Sequence, residues 1–413
     1  MFAIAYGQPG HRRNNPRLFH QLRSTVQVVP VSNSQLRIFY LYRIPYTSLV
    51  FEREGDVFEA EVRILAEVSE DDNFVTRDYK DIKISVNDFD ETTSNDEFLQ
   101  GFITFDLSPE NYFIKGIVTD LNSTREMEII PVEIHGLESF EKGIYRPIVI
   151  KSGTQCNGKN FPQIVNYGGS IPYSSDDYQL VIPVKDTTVE YVTIQIQNKN
   201  TEPFNKKIDE AYITKISISN CKGKLFIDES DEVEVTKNFV FRNFSRKLNE
   251  GPFLLTVKTD SSEEEMNYPL SVFWLDKPFS LRDPESAIEL LKYIEDDSVI
   301  SNLLEADEED YPKVLREFWK QYDPTPETSF NELMEEYYSR IDYAALKFRG
   351  ITKKNGLSTD RGRIYVKFGK PDKVERYSND YGYMIEQWIY ENPEMKFIFV
   401  DKMGTGNFVL VEG

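Results

Sequence analysis

Gly356-Leu-Ser-Thr-Asp-Arg-Gly-Arg-Ile-Tyr-Val-Lys-Phe-Gly-Lys-Pro-Asp372 is the densest cluster of special residues in the chain. It holds Gly356, Gly362, Gly369 and Pro371, and sets Thr359-Asp360 beside Arg361 and Arg363. Ile364, Val366 and Phe368 alternate with Arg363, Tyr365 and Lys367. A period of two predicts a half-buried strand over 363–368. Gly369-Lys-Pro-Asp372 ends it, because proline has no amide hydrogen to give a ladder, and Gly and Asp favour turns. Ser358, Thr359 and Asp360 carry short oxygen-bearing side chains that bond nearby backbone N–H groups and hold a tight turn. A carboxylate at 360 between two guanidiniums is either a structural ion pair or one half of an anion site.

Upstream, Phe330, Met334, Tyr337, Ile341, Ala344 and Phe348 recur at steps of four and three. They form one stripe of a helix over 327–349, ~35 Å long, with Gly350 as its stop. The heptad beat is too short for a coiled coil, so this helix is expected to lie on its own domain's sheet. Asp283-Pro284-Glu285 reads as an N-cap, a proline at the first helical position and an acid in the first turn. Further helices are expected over 297–305 and from Asp310-Tyr-Pro312 until Asp323-Pro-Thr-Pro326 breaks the last of them. Downstream, strands are expected at 386–390 around Trp388, at 396–400 and at 408–411, with Gly404-Thr-Gly406 as a hairpin turn. Residues 279–413 therefore read as an α+β domain of helices packed on an antiparallel meander.

Residues 23–278 read differently. Phe58, Ala60, Val62, Ile64, Ala66 and Val68 alternate with mostly charged residues, the mark of a strand with one wet face. Similar short segments recur from 35 to 134 and from 145 to 274 with almost no helical pattern. They predict two tandem Ig-like β-sandwiches, over 23–137 and 138–278. Leu107-Ser-Pro-Glu-Asn-Tyr112 and Leu248-Asn-Glu-Gly-Pro-Phe253 echo one another as a turn leading to an aromatic residue that opens a strand. Residues 1–22 read as an N-terminal arm, or as the remnant of a signal peptide ending in small residues before Gln8. Asn166-Tyr-Gly-Gly169 lies in a Gly/Tyr/Ser loop of the kind that either connects strands or lines a ligand surface.

The central stretch, with Phe318-Trp319, Asp323-Pro-Thr-Pro326, Asn331-Glu332 and Glu336-Tyr-Tyr338 before it, resembles the GWxTD-domain family of bacterial proteins over the last third of the chain. Leu357 stands where that family's name has Trp, which keeps an apolar anchor without an indole. The resemblance implies an exported protein with a β-rich N-terminal region and no established activity. Its motif residues would be Gly356, Thr359, Asp360, Gly362, Gly369, Pro371 and Asp372.

The bulk numbers narrow the function. A net charge of −21 over 413 residues repels nucleic-acid phosphates and anionic lipid alike. The 40% hydrophobic content is enough for real cores. No apolar run approaches the length of a transmembrane helix. The acidic runs Asp228-Glu-Ser-Asp-Glu232 and Glu308-Glu-Asp310 lack EF-hand spacing and read as solvated faces, so no metal and no cofactor are expected. Two cysteines, Cys156 and Cys221, fall in the same proposed sandwich; one disulfide is open to them in an oxidising compartment, and spacing alone does not decide it. All three histidines, His11, His20 and His135, precede the motif domain, which removes His-based triads and zinc from it.

The expectation is a non-catalytic, periplasmic or otherwise exported scaffold that docks another envelope protein or an extracellular ligand. Its docking residues would be Thr359, Asp360, Arg361 and Arg363, with Tyr337 and Tyr338 nearby. The alternatives are a hydrolase or glycan-processing enzyme pairing Asp360 with Glu332, Glu335 or Glu336, and a carbohydrate-binding module using exposed Tyr and Trp.

Overall fold

The computed structural model describes residues 22–94, 97–167, 170–198, 203–351 and 355–413. The expected arm, with His11 and His20, lies outside them apart from Leu22, as do Gly168 and Gly169. The class is mainly β, with helices and then a β meander at the C-terminal end. One unit runs to Pro172 and resumes over Asp176–Phe273; the other comprises Tyr173–Ser175 and Trp274–Gly413.

In the first unit, β1 (Arg23–Ser32), β2 (Gln35–Pro45) and β6 (Phe98–Leu107) form one sheet. A second holds β3 (Glu52–Glu54), β4 (Val57–Glu70), β7 (Asn111–Asp120) and β8 (Arg125–His135), with β5 (Asn73–Val86) paired to β4. Short helices α1 (Phe89–Thr92) and α2 (Gly136–Lys142) link strands. The third sheet orders β15 (Ala211–Thr214), β18 (Thr236–Phe241), β12 (Tyr178–Val184), β9 (Ile148–Cys156), β10 (Lys159–Ile164), β17 (Lys224–Glu229) and β16 (Ile216–Cys221). The fourth orders β11 (Ser170–Pro172), β20 (Glu265–Phe273), β19 (Gly251–Thr259), β13 (Val192–Asn198) and β14 (Phe204–Ile208).

The period-two reading of β4 holds: Ala60, Val62, Ile64, Ala66 and Val68 are all buried. The β1-β2-β6 sheet departs from the picture of two independent sandwiches. Its Val26, Val28, Ile38, Tyr40 and Ile103 join Val62, Ile64 and Ile114 of the second sheet in one core. From its opposite face, Val29, Phe39 and Leu41 join Ile148, Ile150, Val181 and Leu225 of the third sheet in another. A sheet buried on both sides needs apolar residues in both phases of the pleat. Ile38-Phe-Tyr-Leu-Tyr42 supplies them, and this shared middle layer fuses the two sandwiches into one unit.

The two echo turns play the same role with different chemistry. Tyr112 opens β7 and its hydroxyl reaches back to Ser108 O at 3.2 Å, a corner lock familiar in sandwiches. Phe253, buried at the corresponding place in β19, has no hydroxyl to do this. A disulfide joins Cys156, at the end of β9, to Cys221, at the end of β16, with Cα atoms 6.3 Å apart. It ties the tips of two hairpins that are not neighbours at those strands.

In the second unit, α3 (Pro284–Leu290), α4 (Asp297–Leu304), α5 (Tyr311–Lys320) and α6 (Glu332–Lys347) precede α7 (Asp360–Phe368). Strands β21 (Lys373–Ser378), β22 (Met384–Glu391), β23 (Glu394–Asp401) and β24 (Val409–Glu412) then form an antiparallel meander in chain order. α6 starts at 332, not 327, because Thr325 and Thr328 close a turn there and Asn331 caps the helix, its side chain accepting from Met334 N at 2.8 Å. The expected stripe from Phe330 to Phe348 is buried throughout.

The expected strand over 363–368 is a helix, and this corrects the reading of the central stretch. Thr359 is its N-cap, accepting from Gly362 N at 3.0 Å; Asp360 sits in the first turn, and Gly369 follows the end at φ +78°. Thr-Asp at a helix start is favoured by capping and by the helix dipole. The apolar residues do not fall on one stripe because α7 is covered on two sides. Val366 is buried beside Gly362, while Tyr365 and Phe368 meet Trp388 and Phe397 of the sheet. The meander's first strand is instead Lys373-Val-Glu-Arg-Tyr-Ser378, a largely exposed edge with little apolar signal.

Candidate functional site

The stretch after α6 brings backbones together more closely than side chains allow. A Cβ on Gly356 would stand 2.0 Å from Ala344 O, in α6, and one on Gly362 would stand 2.1 Å from Gly356 O. Only glycine fits at either position. Asn355 accepts from Leu357 N at 3.0 Å and sets the short turn Gly356–Ser358, so that Leu357 is buried as the apolar anchor. Thr359, 1% exposed, donates to Gly356 O at 2.6 Å as well as capping α7.

The three charged residues that follow reach three different places. Asp360 accepts from Leu410 N at 2.8 Å with one oxygen, holding α7 to the edge strand β24, and pairs with Arg363 through the other. Arg361 lies under the sheet instead of beside Asp360. Its Nη1 is 3.3 Å from Glu386 Oε2, its Nη2 donates to Gly406 O at 3.1 Å, and its plane covers the Phe408 ring at 4.1 Å. Glu386 also accepts from Trp388 Nε1 and Arg376 Nε, both at 2.8 Å. Burial pulls the Arg361 guanidinium below its usual value, and the charge of Glu386 opposes that. Asp401, also buried, accepts from Met403 N, Thr405 N and Gly406 N and so fixes the loop whose carbonyl meets Arg361.

Glu386 and Asp401 were not singled out from the sequence. A signal for Glu386 existed: it occupies the inward phase of β22, between Met384 and Trp388, where an acid calls for a partner. Gly369 and Asp372 complete the junction. Gly369 O accepts from Tyr390 Oη at 2.9 Å, Asp372 accepts from Glu391 N at 2.8 Å, and Pro371 between them is buried.

Several expected site residues lie elsewhere. Tyr337 and Tyr338 are core residues, not members of a docking surface. Their hydroxyls donate to Leu290 O at 2.5 Å and Ala287 O at 2.8 Å, and burial pushes both phenols well above the ordinary tyrosine value. Thr359 and Arg361 are likewise buried, which leaves Asp360 and Arg363 as the partly accessible members of the expected set. The candidate second acids bond away from Asp360: Glu332 to Thr325, Glu335 to Ser339 and Glu336 to Arg340. In the first unit, Asn166 and Tyr167 are buried, Asn166 accepting from Val149 N at 3.0 Å, so they form an internal strut and not a ligand surface. Of the acidic run 228–232, Asp231 pairs with Lys215 and Glu232 with Arg37.

These features define an α+β domain whose helices cover one face of a four-stranded meander and are joined to it by the Thr359-Asp360 cap and the buried Arg361–Glu386 pair. The family model of the GWxTD domain matches residues 253–412, so the C-terminal part of the chain carries that domain. The match takes in β19 and β20 as well as the second unit. No curated protein matches the chain.

Proposed function

We propose that the protein is a non-catalytic interaction protein, exported to a bacterial cell envelope, whose GWxTD domain docks another envelope protein or an extracellular ligand. The observation that carries this reading is the outward face of the meander. Tyr377, Ile385, Val400 and Val409 stand directly opposite one another, one on each successive strand. They make a single apolar row across the sheet, with Glu375, Gln387 and Ile398 in the next row and Lys373, Ile389 and Lys396 beyond it. The ends of the apolar row, Tyr377 and Val409, are 44% and 48% exposed, whereas Ile385 between them is half-buried and Val400 is buried. An apolar strip rimmed by polar residues is a common form of contact surface.

The junction supports the same reading from the other side, because Thr359, Asp360 and Arg361 bond within the domain. The disulfide is consistent with an oxidising compartment. No helix among the described residues is long and apolar enough to cross a membrane.

Capture from a native envelope extract tests the reading. Tyr377→Lys with Val409→Lys is expected to keep the wild-type melting temperature and lose capture. Undiminished capture by that variant would sink the proposal. A glycan-binding reading draws on one feature, the exposed Tyr381 ring stacked 6.0 Å from Tyr383 at a 28° angle; the three tryptophans are buried and take no part. Tyr381→Ala would separate the two, since it should abolish retention on immobilised glycan and leave protein capture intact.

A further inference from the structure

A cavity of about 370 Å³ lies in the first unit, where the start of β1, the end of β8, α2 and β20 meet. Volumes of roughly 300–1,000 Å³ are usual for small-molecule sites. Much of the lining is apolar, with Leu22, Val132, Met266 and Pro269 among it. Into this setting the chain places two guanidiniums, Arg23 and Arg146.

Neither arginine is paired with a carboxylate among the described residues. Arg23 donates to Ser170 Oγ at 2.9 Å and lies 4.2 Å over the Phe273 ring. Arg146 has less: its Nε is buried with no hydrogen-bond partner, and the buried Tyr268, which interacts with it electrostatically, donates its own hydroxyl to Ile144 O at 3.2 Å. Burial lowers both guanidiniums from their usual value, as expected of cations without a counter-ion.

The acids on the cavity wall do not relieve this. Glu138 is held by Lys142 at 2.7 Å, and Glu133 lies 3.8 Å from His135. Thr25 Oγ1 is also buried without a partner. It shares a face of β1 with Gln27, whose amide donates to Arg146 O at 2.7 Å, so the orphan hydroxyl lies on the Arg146 side. A guanidinium Nε and a hydroxyl, both buried and unsatisfied beside a cavity, are a liability in an empty protein and an asset in a liganded one.

We propose that this cavity binds a small amphiphilic carboxylate, with its carboxylate on Arg146 and its hydrocarbon part along the apolar wall. A planar carboxylate suits one guanidinium fork and brings one negative charge, which a mostly apolar cavity desolvates more easily than a phosphate.

The test is calorimetric titration of the full chain with octanoate, octan-1-ol, octylammonium and octyl phosphate. Octanoate should bind saturably, and the alcohol and the ammonium at least about tenfold more weakly. Arg146→Met should weaken octanoate by a similar factor while the ligand-free melting temperature holds or rises, because an unpaired buried charge is replaced by a side chain of like shape. The wild type alone decides the matter should that variant not fold. Absence of saturable octanoate binding at roughly millimolar concentration, or equal binding of octan-1-ol, overturns the proposal. Tighter binding of octyl phosphate overturns the carboxylate assignment, and a lowered melting temperature in a folded Arg146→Met overturns the idea that the guanidinium awaits a ligand.

Discussion

Glu386→Ala is the substitution that most directly examines the junction. It removes a carboxylate that is 1% exposed and accepts from Arg361, Arg376 and the Trp388 indole. Burial lowers Arg361 and the charge of Glu386 opposes that; buried pairs of this kind are often no net gain over two apolar side chains. The harm comes from leaving one partner alone. An uncompensated buried guanidinium costs about 3–5 kcal/mol, and the stranded indole N–H falls within the same disruption instead of adding to it in full. For a domain of this size that is a fall in melting temperature of roughly 10 °C. Glu386→Gln keeps acceptors for Trp388 and Arg376 and should cost about half as much.

All three tryptophans belong to the second unit, so tryptophan fluorescence during urea unfolding reports on it selectively. A double-mutant cycle completes the test. Arg361→Met with Glu386→Gln removes both charges of the buried pair and should be less destabilised than the sum of the singles by about 1–3 kcal/mol. A Glu386→Ala cost under about 1 kcal/mol, or strict additivity in the cycle, would refute the argument that these residues act as one unit.

Three further outcomes are expected. Gly362→Ala would gain up to about 1 kcal/mol from helix propensity alone, yet the added Cβ would meet Gly356 O at 2.1 Å, so a loss of more than about 2 kcal/mol is expected in the same fluorescence assay. Reducing the Cys156–Cys221 disulfide, which closes a 65-residue separation, should destabilise the first unit by about 2–4 kcal/mol and leave the tryptophan transition unchanged. Asp342 caps the turn at Phe279 and Ser280, and burial raises its carboxyl above the ordinary 3.8. The folded state therefore keeps that proton longer than the unfolded state, and stability falls as pH rises from about 4 through the raised value, then levels off. Asp342→Asn cannot ionise, so it should gain on the wild type across that window; parallel urea midpoints from about pH 4 to 7 would contradict this.

Legibility differed sharply from one element to another. β4 and α6 were plain because each buries one face, so a single period describes it. α7 reads as a strand because it buries two, and because Ile364, Val366 and Phe368 imitate a pleat that nothing in their spacing contradicts. The capping residues Thr359 and Asp360 read as a turn in the sequence, and only the fold places them at the start of a helix. β21 is silent in the sequence for the opposite reason: an edge strand has little to bury, so it leaves little trace. Of the middle sheet of the first unit, β2 and β6 are legible as strands but not as parts of a shared layer, because a continuous apolar run does not say what covers each side. At the junction, the sequence marked the residues that make the bonds and not those that receive them. Glu386 and Asp401 lie 25 and 40 positions beyond Arg361, and only the fold brings Glu386 to that guanidinium and sets Asp401 to hold the loop that meets it.

The geometry of the junction bears on where function is to be sought. Gly356 and Gly362 let α6, the turn and α7 meet backbone to backbone; Thr359 closes that contact; Asp360 reaches β24; Arg361 reaches β22 and the loop after β23. Within seven residues the chain engages nearly every neighbouring element, and it does so on the covered face of the sheet. Side chains on a strand alternate between faces, so whatever fixes Glu386, Trp388 and Phe399 inward also fixes Ile385, Ile389 and Val400 outward. The motif therefore sets the register and orientation of the outward row without belonging to it. Substitutions in the motif should change capture and stability together, since each weakens the joint that positions the row. Substitutions at Tyr377 and Val409 should change capture alone. A motif variant such as Asp360→Ala that kept its melting temperature and still lost capture would break this separation, and would return Asp360 to the role of a direct contact.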